Sequence, residues 1–211
     1  MALIKKFRIK SFKEDEPLLE LEKISMFYNK RQILNDLSLR INRQEVLGML
    51  GPNGVGKSTI FHIITGLKDP SYGKILINGF DCTNLPVYER ATRFKLGYVP
   101  QHGGFIQDLT LIENLKLVAE IHIKEKDLRQ TKIDKLISQF GFDPILKIKA
   151  KHLSGGQKKA LVISMALIND PNILLLDEPF AALDILTIKM LQEIIVNLQS
   201  IEKITVIICD H

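Results

Sequence analysis

Eight consecutive residues constrain this 211-residue chain more than any others. Gly51-Pro52-Asn53-Gly54-Val55-Gly56-Lys57-Ser58 fits the pattern G-x-x-x-x-G-K-[ST], followed by Thr59. A short apolar run, Val46 to Leu50, precedes it, and residues 57 to 66 read as a helix closed by Gly66. Strand, glycine-rich loop and helix in that order form a nest of backbone N–H groups for phosphate oxygens, with the positive end of a helix behind it. In that setting Lys57 neutralises β- and γ-phosphates and the Ser58 hydroxyl is a ligand for Mg²⁺. The fold must therefore place a buried strand directly under a helix N-terminus.

The rest of the chain supplies such a fold. Leu37, Leu39 and Ile41 alternate with polar residues as a half-buried strand does, and Lys74–Asn78, Leu96–Val99, Ile173–Leu176 and Ile204–Ile208 read as further strands. From about 104 to 152 the pattern turns helical, with Leu128, Ile133, Leu136, Ile137 and Phe140 at helical spacing, so this stretch is expected as an inserted subdomain. Leu186, Met190, Leu191, Ile194, Ile195 and Leu198 mark a long amphipathic helix. Strands alternating with helices predict an α/β fold, a P-loop NTPase with a mixed sheet core and an inserted helical subdomain. The expected organisation is a frayed, solvated extension over 1–17 and one domain over 18–211.

Composition excludes several alternatives. Twenty-nine bases against 24 acids leave a net charge of +5, which suits a phosphate ligand, a nucleic acid or an anionic membrane surface and selects none of them. No apolar stretch approaches the roughly 18 residues of a spanning helix, and no apolar segment follows the basic N-terminal residues as in a secretory signal. Cys82 and Cys209 have neither metal spacing nor a disulfide framework, so a reducing compartment is expected. His62, His102, His122 and His152 build no metal spacing either.

Two further segments bear on chemistry. Asp177 and Glu178 end the apolar run Leu174-Leu175-Leu176; they suit a water-mediated hold on Mg²⁺ and polarisation of an attacking water, and two acids there equally suit a helix cap. The upstream phosphate loop favours the former. Leu153-Ser154-Gly155-Gly156-Gln157 reads by itself as a serine N-cap with flexible glycines.

Taken together these motifs resemble the ATP-binding-cassette (ABC) ATPases, from about Leu18 to His211. The resemblance implies that Tyr28 stacks on adenine and that residues 51 to 58 are the Walker A loop. Gln101 becomes the glutamine loop, touching Mg²⁺ or water and the membrane partner. Ser154 to Gln157 lie in the signature, Ile173 to Glu178 are the Walker B strand with its catalytic glutamate, Ala181 to Asp184 the D-loop, and His211 the switch histidine. It further implies a head-to-tail, ATP-dependent homodimer sandwiching two ATP, with Mg²⁺, and transmembrane permease subunits docked near Gln101 and the helical insert. The expected place is cytoplasmic, peripheral on the inner membrane. Asn84–Ala91, Gly97–Gln101, Phe105–Thr110 and Asp177–Ala181 are similar to the ATPase subunits of lipopolysaccharide transport. A branched-chain amino-acid importer ATPase, another importer or a non-transport P-loop ATPase is the alternative. No direct nucleic-acid partner is expected, since the lysines are scattered without an aromatic-interleaved stripe.

Departures from the family pattern are visible. Ser164-Met165 stands where an alanine-arginine pair is common, while Lys158-Lys159 keeps the basic pair after the signature. Relatives continue beyond the position of His211. On that ground the last strand is expected to be poorly covered with an exposed edge, and this form to bind ATP but hydrolyse it slowly.

Overall fold

A computed structural model describes residues 5–9 by their backbone and residues 17–211 in full. In chain order the elements are β1 (Lys5–Ile9), β2 (Pro17–Tyr28), β3 (Arg31–Asn42), β4 (Val46–Leu50), α1 (Lys57–Thr65), β5 (Tyr72–Ile77), β6 (Phe80–Asp81), α2 (Val87–Arg93) and β7 (Leu96–Val99). There follow α3 (Leu111–His122), α4 (Lys126–Phe140), α5 (Gly155–Ala166), β8 (Ile173–Asp177), α6 (Ile185–Ser200) and β9 (Thr205–Asp210). One sheet runs β1-β4-β9-β8-β7, the second β3-β2-β5-β6. In the first, β4, β9, β8 and β7 are mutually parallel and β1 is antiparallel to β4; the second is antiparallel throughout. The mixed sheet core is therefore present.

Burial follows from the period of two along each strand. In β8, Leu174 and Leu176 join the apolar cluster formed with α3 to α6, whereas Ile173 and Leu175 join the cluster shared by α1, β2, β3 and β5. A strand covered on both faces needs an unbroken apolar run, and Ile173-Leu174-Leu175-Leu176 supplies it. The same arrangement fixes where Asp177 and Glu178 emerge, at the carboxyl end of a central strand.

Several expectations are corrected. Of the extension expected over 1–17, Lys5–Ile9 pair as an edge strand with β4, whose backbone on that side otherwise lacks a partner, and Pro17 already begins β2. Residues 1–4 and 10–16 lie outside the described residues. β2 is a twelve-residue strand without a clean alternation, because register shifts around Leu21, Ile24 and Met26 break the period.

The segment 104–152 is not helical throughout. It holds α3, α4 and two 3₁₀ turns, Asp143–Ile145 and Ala150–His152. The loop before α3 is folded onto the buried Asn114, which accepts from Ile106 N (2.8 Å) and donates to Ile106 O (3.1 Å) and Thr110 O (3.0 Å). A capping box between Thr110 and Glu113 then starts the helix.

On α6, Leu191, Ile194, Ile195 and Leu198 are buried as expected, but Leu186 (78% exposed) and Met190 face solvent, since the first turns of the helix project beyond the core. Nor is β9 an exposed edge. It lies between β4 and β8, hydrogen-bonded on both sides, with Thr205, Val206, Ile207 and Cys209 buried.

Candidate functional site

The loop between β4 and α1 takes its shape from glycine. Gly56 has φ +104°, and a Cβ there would stand 2.9 Å from Leu34 Cδ2, so a larger residue is excluded by both backbone and space. Gly56 is the N-cap of α1 in a left-handed conformation and offers no side-chain cap, so the first N–H groups of the helix are left without an intrahelical partner beside the loop. Lys57 is buried; its ammonium donates to the carbonyls of Gly51 and, at 3.1 Å, Pro52, closing the loop on itself. Val55 packs half-buried within it.

A cleft of about 190 Å³ opens over this loop. Tyr28 and Ile33 line one side, Asn53, Gly54, Gly56, Lys57, Ser58 and Thr59 the floor, and Glu178 the far wall. The Tyr28 ring is half-exposed, with Lys68 Nζ 4.2 Å from its centroid. A larger cavity, about 1150 Å³ between β2, β3 and β5, shares no residue with this cleft and has no phosphate loop.

Acidic groups converge behind the loop. Ser58 Oγ donates to Asp177 Oδ1 at 3.2 Å and Tyr98 OH to Oδ2 at 3.3 Å. Burial raises the Asp177 pKa above the usual carboxylate range, and Glu178 adds to the rise. Burial and the neighbouring Asp177 also push the Tyr98 phenol up, so it stays a donor. The next residue, Glu178, is buried with a left-handed φ of +46°. Its carboxylate accepts from Gln101 Nε2 on one oxygen and lies 3.3 Å from His211 Nε2 on the other. Lys159 on α5 donates to Gln101 O (3.1 Å) and Pro100 O (3.4 Å); burial lowers its pKa, against the pull of Asp177, Glu178 and Asp210.

This donor set suits a divalent cation only with help from a ligand. Asp177 is a buried carboxylate whose two hydrogen bonds come from neutral hydroxyls, so neither brings a positive charge to it. Among the described residues no group of three or more His, Cys, Asp or Glu forms a metal site, so a cation held here would need phosphate oxygens or water as further ligands, a mode that suits Mg²⁺.

The fold thus brings Tyr28, the loop residues 51–59, Gln101, Asp177, Glu178 and His211 to one place. Ser154, Gly155, Gly156 and Gln157 do not line the cleft over the phosphate loop, although Gly155 borders a pocket of about 290 Å³ that Gln101 and Glu178 also line. Ser154 and Gln157 cap α5 reciprocally (Gln157 N to Ser154 Oγ 3.2 Å, Ser154 N to Gln157 Oε1 2.9 Å), and Gly156 lets α5 approach α6, where a Cβ would meet Thr187 Cγ2 at 2.4 Å. Ser154 and Gly155 are exposed to solvent. Tyr98 and Lys159 were missed as site residues. Nothing local marks Tyr98, while Lys159 was visible only as part of a basic pair.

Residues 34–181 match the family described as ABC transporter. An uncharacterized ABC transporter ATP-binding protein of Rhizobium meliloti is 41% identical over 87% of this chain and 67% of its own length. The lipopolysaccharide export system ATP-binding protein LptB of Haemophilus influenzae is 39% identical over 92% of this chain and 80% of its own length. The chain therefore spans two thirds to four fifths of these relatives. Among solved structures, cbiO1 of Clostridium perfringens, part of the ABC transporter complex cbiONQ, superposes with a TM-score of 0.84 at 28% identity, over 93% of this chain and 79% of that one. The ATP-binding cassette MJ0796, a dimer in a post-hydrolysis state with ADP and Pi, gives 0.81 at 28%, over 92% and 88%. The chain belongs to the ABC transporter family, as one of its ATP-binding, ATP-hydrolysing subunits.

Proposed function

We propose that this subunit powers lipopolysaccharide export through membrane partner subunits, at the cytoplasmic face of the inner membrane. The likeness to the lipopolysaccharide export protein LptB over 92% of this chain carries the choice of cargo. Among the described residues no helix is long and apolar enough to cross a membrane.

The chemistry follows from the site. Tyr28 offers a ring face to the adenine. Lys57 exchanges the carbonyls of Gly51 and Pro52 for the β- and γ-phosphates, while the N–H groups of residues 53–59 surround the phosphate oxygens. Ser58, Asp177 and Gln101 are the residues that would hold Mg²⁺, which would supply neutralisation of the charge on the phosphates. Glu178 accepts a proton from the attacking water, with Gln101 and His211 fixing its carboxylate from either side. The exposed Ser154 and the glycine amides at the start of α5 serve the γ-phosphate of a second protomer in a head-to-tail dimer.

The permease side is assigned to a groove of about 270 Å³ between β7, α3 and α5, lined by Pro100, Gly104, Val118 and Met165. It adjoins Gln101, so a partner seated there acts on Glu178 through a single residue.

Reconstitution tests the cargo. The chain is co-expressed with candidate lipopolysaccharide-export membrane subunits, and proteoliposomes are assayed for ATP-dependent lipopolysaccharide release. Release that requires ATP and Glu178 is expected; amino-acid uptake by the same vesicles would contradict the reading.

A further inference from the structure

Among the described residues Tyr98 is the one side-chain donor to Asp177 that comes from outside the phosphate-loop helix. It sits on β7, in register with Leu175 of β8, so its hydroxyl reaches the end of the neighbouring strand and donates to Asp177 Oδ2 at 3.3 Å. The ring itself is fixed. It packs edge-on against Phe61 (6.2 Å between centroids, 85°) and His62 (6.4 Å, 86°), both on α1, the helix that also carries Lys57 and Ser58.

The Asp177 carboxylate is therefore held from two sides. Ser58 takes Oδ1 and Tyr98 takes Oδ2, and the group is only 4% exposed, so water does not replace either donor. A carboxylate with one donor rotates about its Cβ–Cγ bond; with two it keeps one orientation. Each oxygen has two acceptor sites, so Oδ1 can accept from Ser58 and still face a cation beside it.

We infer that Tyr98 is a positioning residue for the divalent cation: its hydroxyl locks the Asp177 carboxylate so that Oδ1 stays beside Ser58, facing the metal. This rests on the assignment of Ser58 and Asp177 to the Mg²⁺ of bound ATP. Residues that orient a metal ligand in this way commonly change metal affinity by about 10- to 100-fold when removed.

Tyr98→Phe deletes the hydroxyl and keeps the ring on Phe61 and His62. Binding of a fluorescent ATP analogue to the full chain is titrated in EDTA and again against Mn²⁺, with Mn²⁺ occupancy read by electron paramagnetic resonance. Affinity in EDTA is expected to equal wild type, because Tyr98 does not line the cleft over the phosphate loop. The Mn²⁺ midpoint is expected to rise about tenfold or more. The Mg²⁺ midpoint of ATP hydrolysis rises in parallel, and kcat is largely restored at saturating Mg²⁺. Coincident Mn²⁺ midpoints overturn the proposal. So does a joint loss of metal-free binding and melting temperature, which would make Tyr98 a packing residue. Wild-type chain that binds nucleotide in EDTA and gains nothing from Mn²⁺ would overturn the cation site itself, and Tyr98's role with it.

Discussion

His211 Nε2 lies 3.3 Å from Glu178 Oε1, so the residue after β9 meets the residue after β8 across two adjacent parallel strands. Glu178 N donates to Cys209 O at 2.8 Å, which pins the same junction through the backbone. The imidazole thus orients the carboxylate without taking part in the phosphate loop. His211→Ala is expected to slow hydrolysis by about 10²-fold while leaving ATP affinity unchanged. Steady-state rates alongside equilibrium binding check this.

Lys57 is buried with its ammonium on two loop carbonyls, and it is the fixed cation of the phosphate loop. Lys57→Ala removes charge-assisted bonds to the phosphates, so nucleotide affinity should drop about 10-fold or more and hydrolysis should vanish. Retention of most of the wild-type rate would remove the phosphate-loop assignment.

Asp177 illustrates a stability cost carried by function. Burial raises its pKa, so the folded protein binds that proton more tightly than the unfolded chain. The group's contribution to stability is therefore most favourable at low pH and declines as pH rises from the ordinary carboxylate value through the raised one. Asp177→Asn should raise the melting temperature of nucleotide-free protein in EDTA at pH 8, with the gain shrinking toward pH 4, while Mg²⁺-dependent binding is lost. Melting curves at the two pH values decide it.

Arg90 is fully buried, and its guanidinium donates to the carbonyls of Leu85 (2.8 Å), Ile63 (2.6 Å), Ile64 (3.0 Å) and Thr83 (2.7 Å). It caps the far end of α1, opposite the phosphate loop, and fastens α2 to it. Arg90→Met leaves those buried acceptors short of partners, at a cost of about 2 kcal/mol or more. The melting temperature should fall by about 4–8 °C on that figure. Urea unfolding of the two proteins measures it.

What was legible in the sequence is what local spacing encodes. The phosphate loop, β8 with its two acids, the start of α5 and the buried face of α6 are each written within a dozen residues. Tyr98 and Arg90 are not, because Asp177 lies 79 positions from Tyr98, and the Ile63 and Ile64 carbonyls lie 27 and 26 from Arg90, so only the fold brings them together. β2 was hidden by bulges that break its alternation. The position of β9 was misjudged for a topological reason: a strand late in the chain can be inserted between β4 and β8, and here it is.

The central claim is that hydrolysis depends on Glu178 and that ATP joins two copies of the chain. Glu178→Gln keeps the shape of the side chain and its contact with Gln101 while removing the base, so turnover should fall by about 10²–10⁴ with Mg-ATP still bound. Sedimentation velocity of this variant, with and without Mg-ATP, is the most direct measurement. The account predicts monomer without nucleotide and dimer with it; a strictly monomeric variant at saturating Mg-ATP would contradict it.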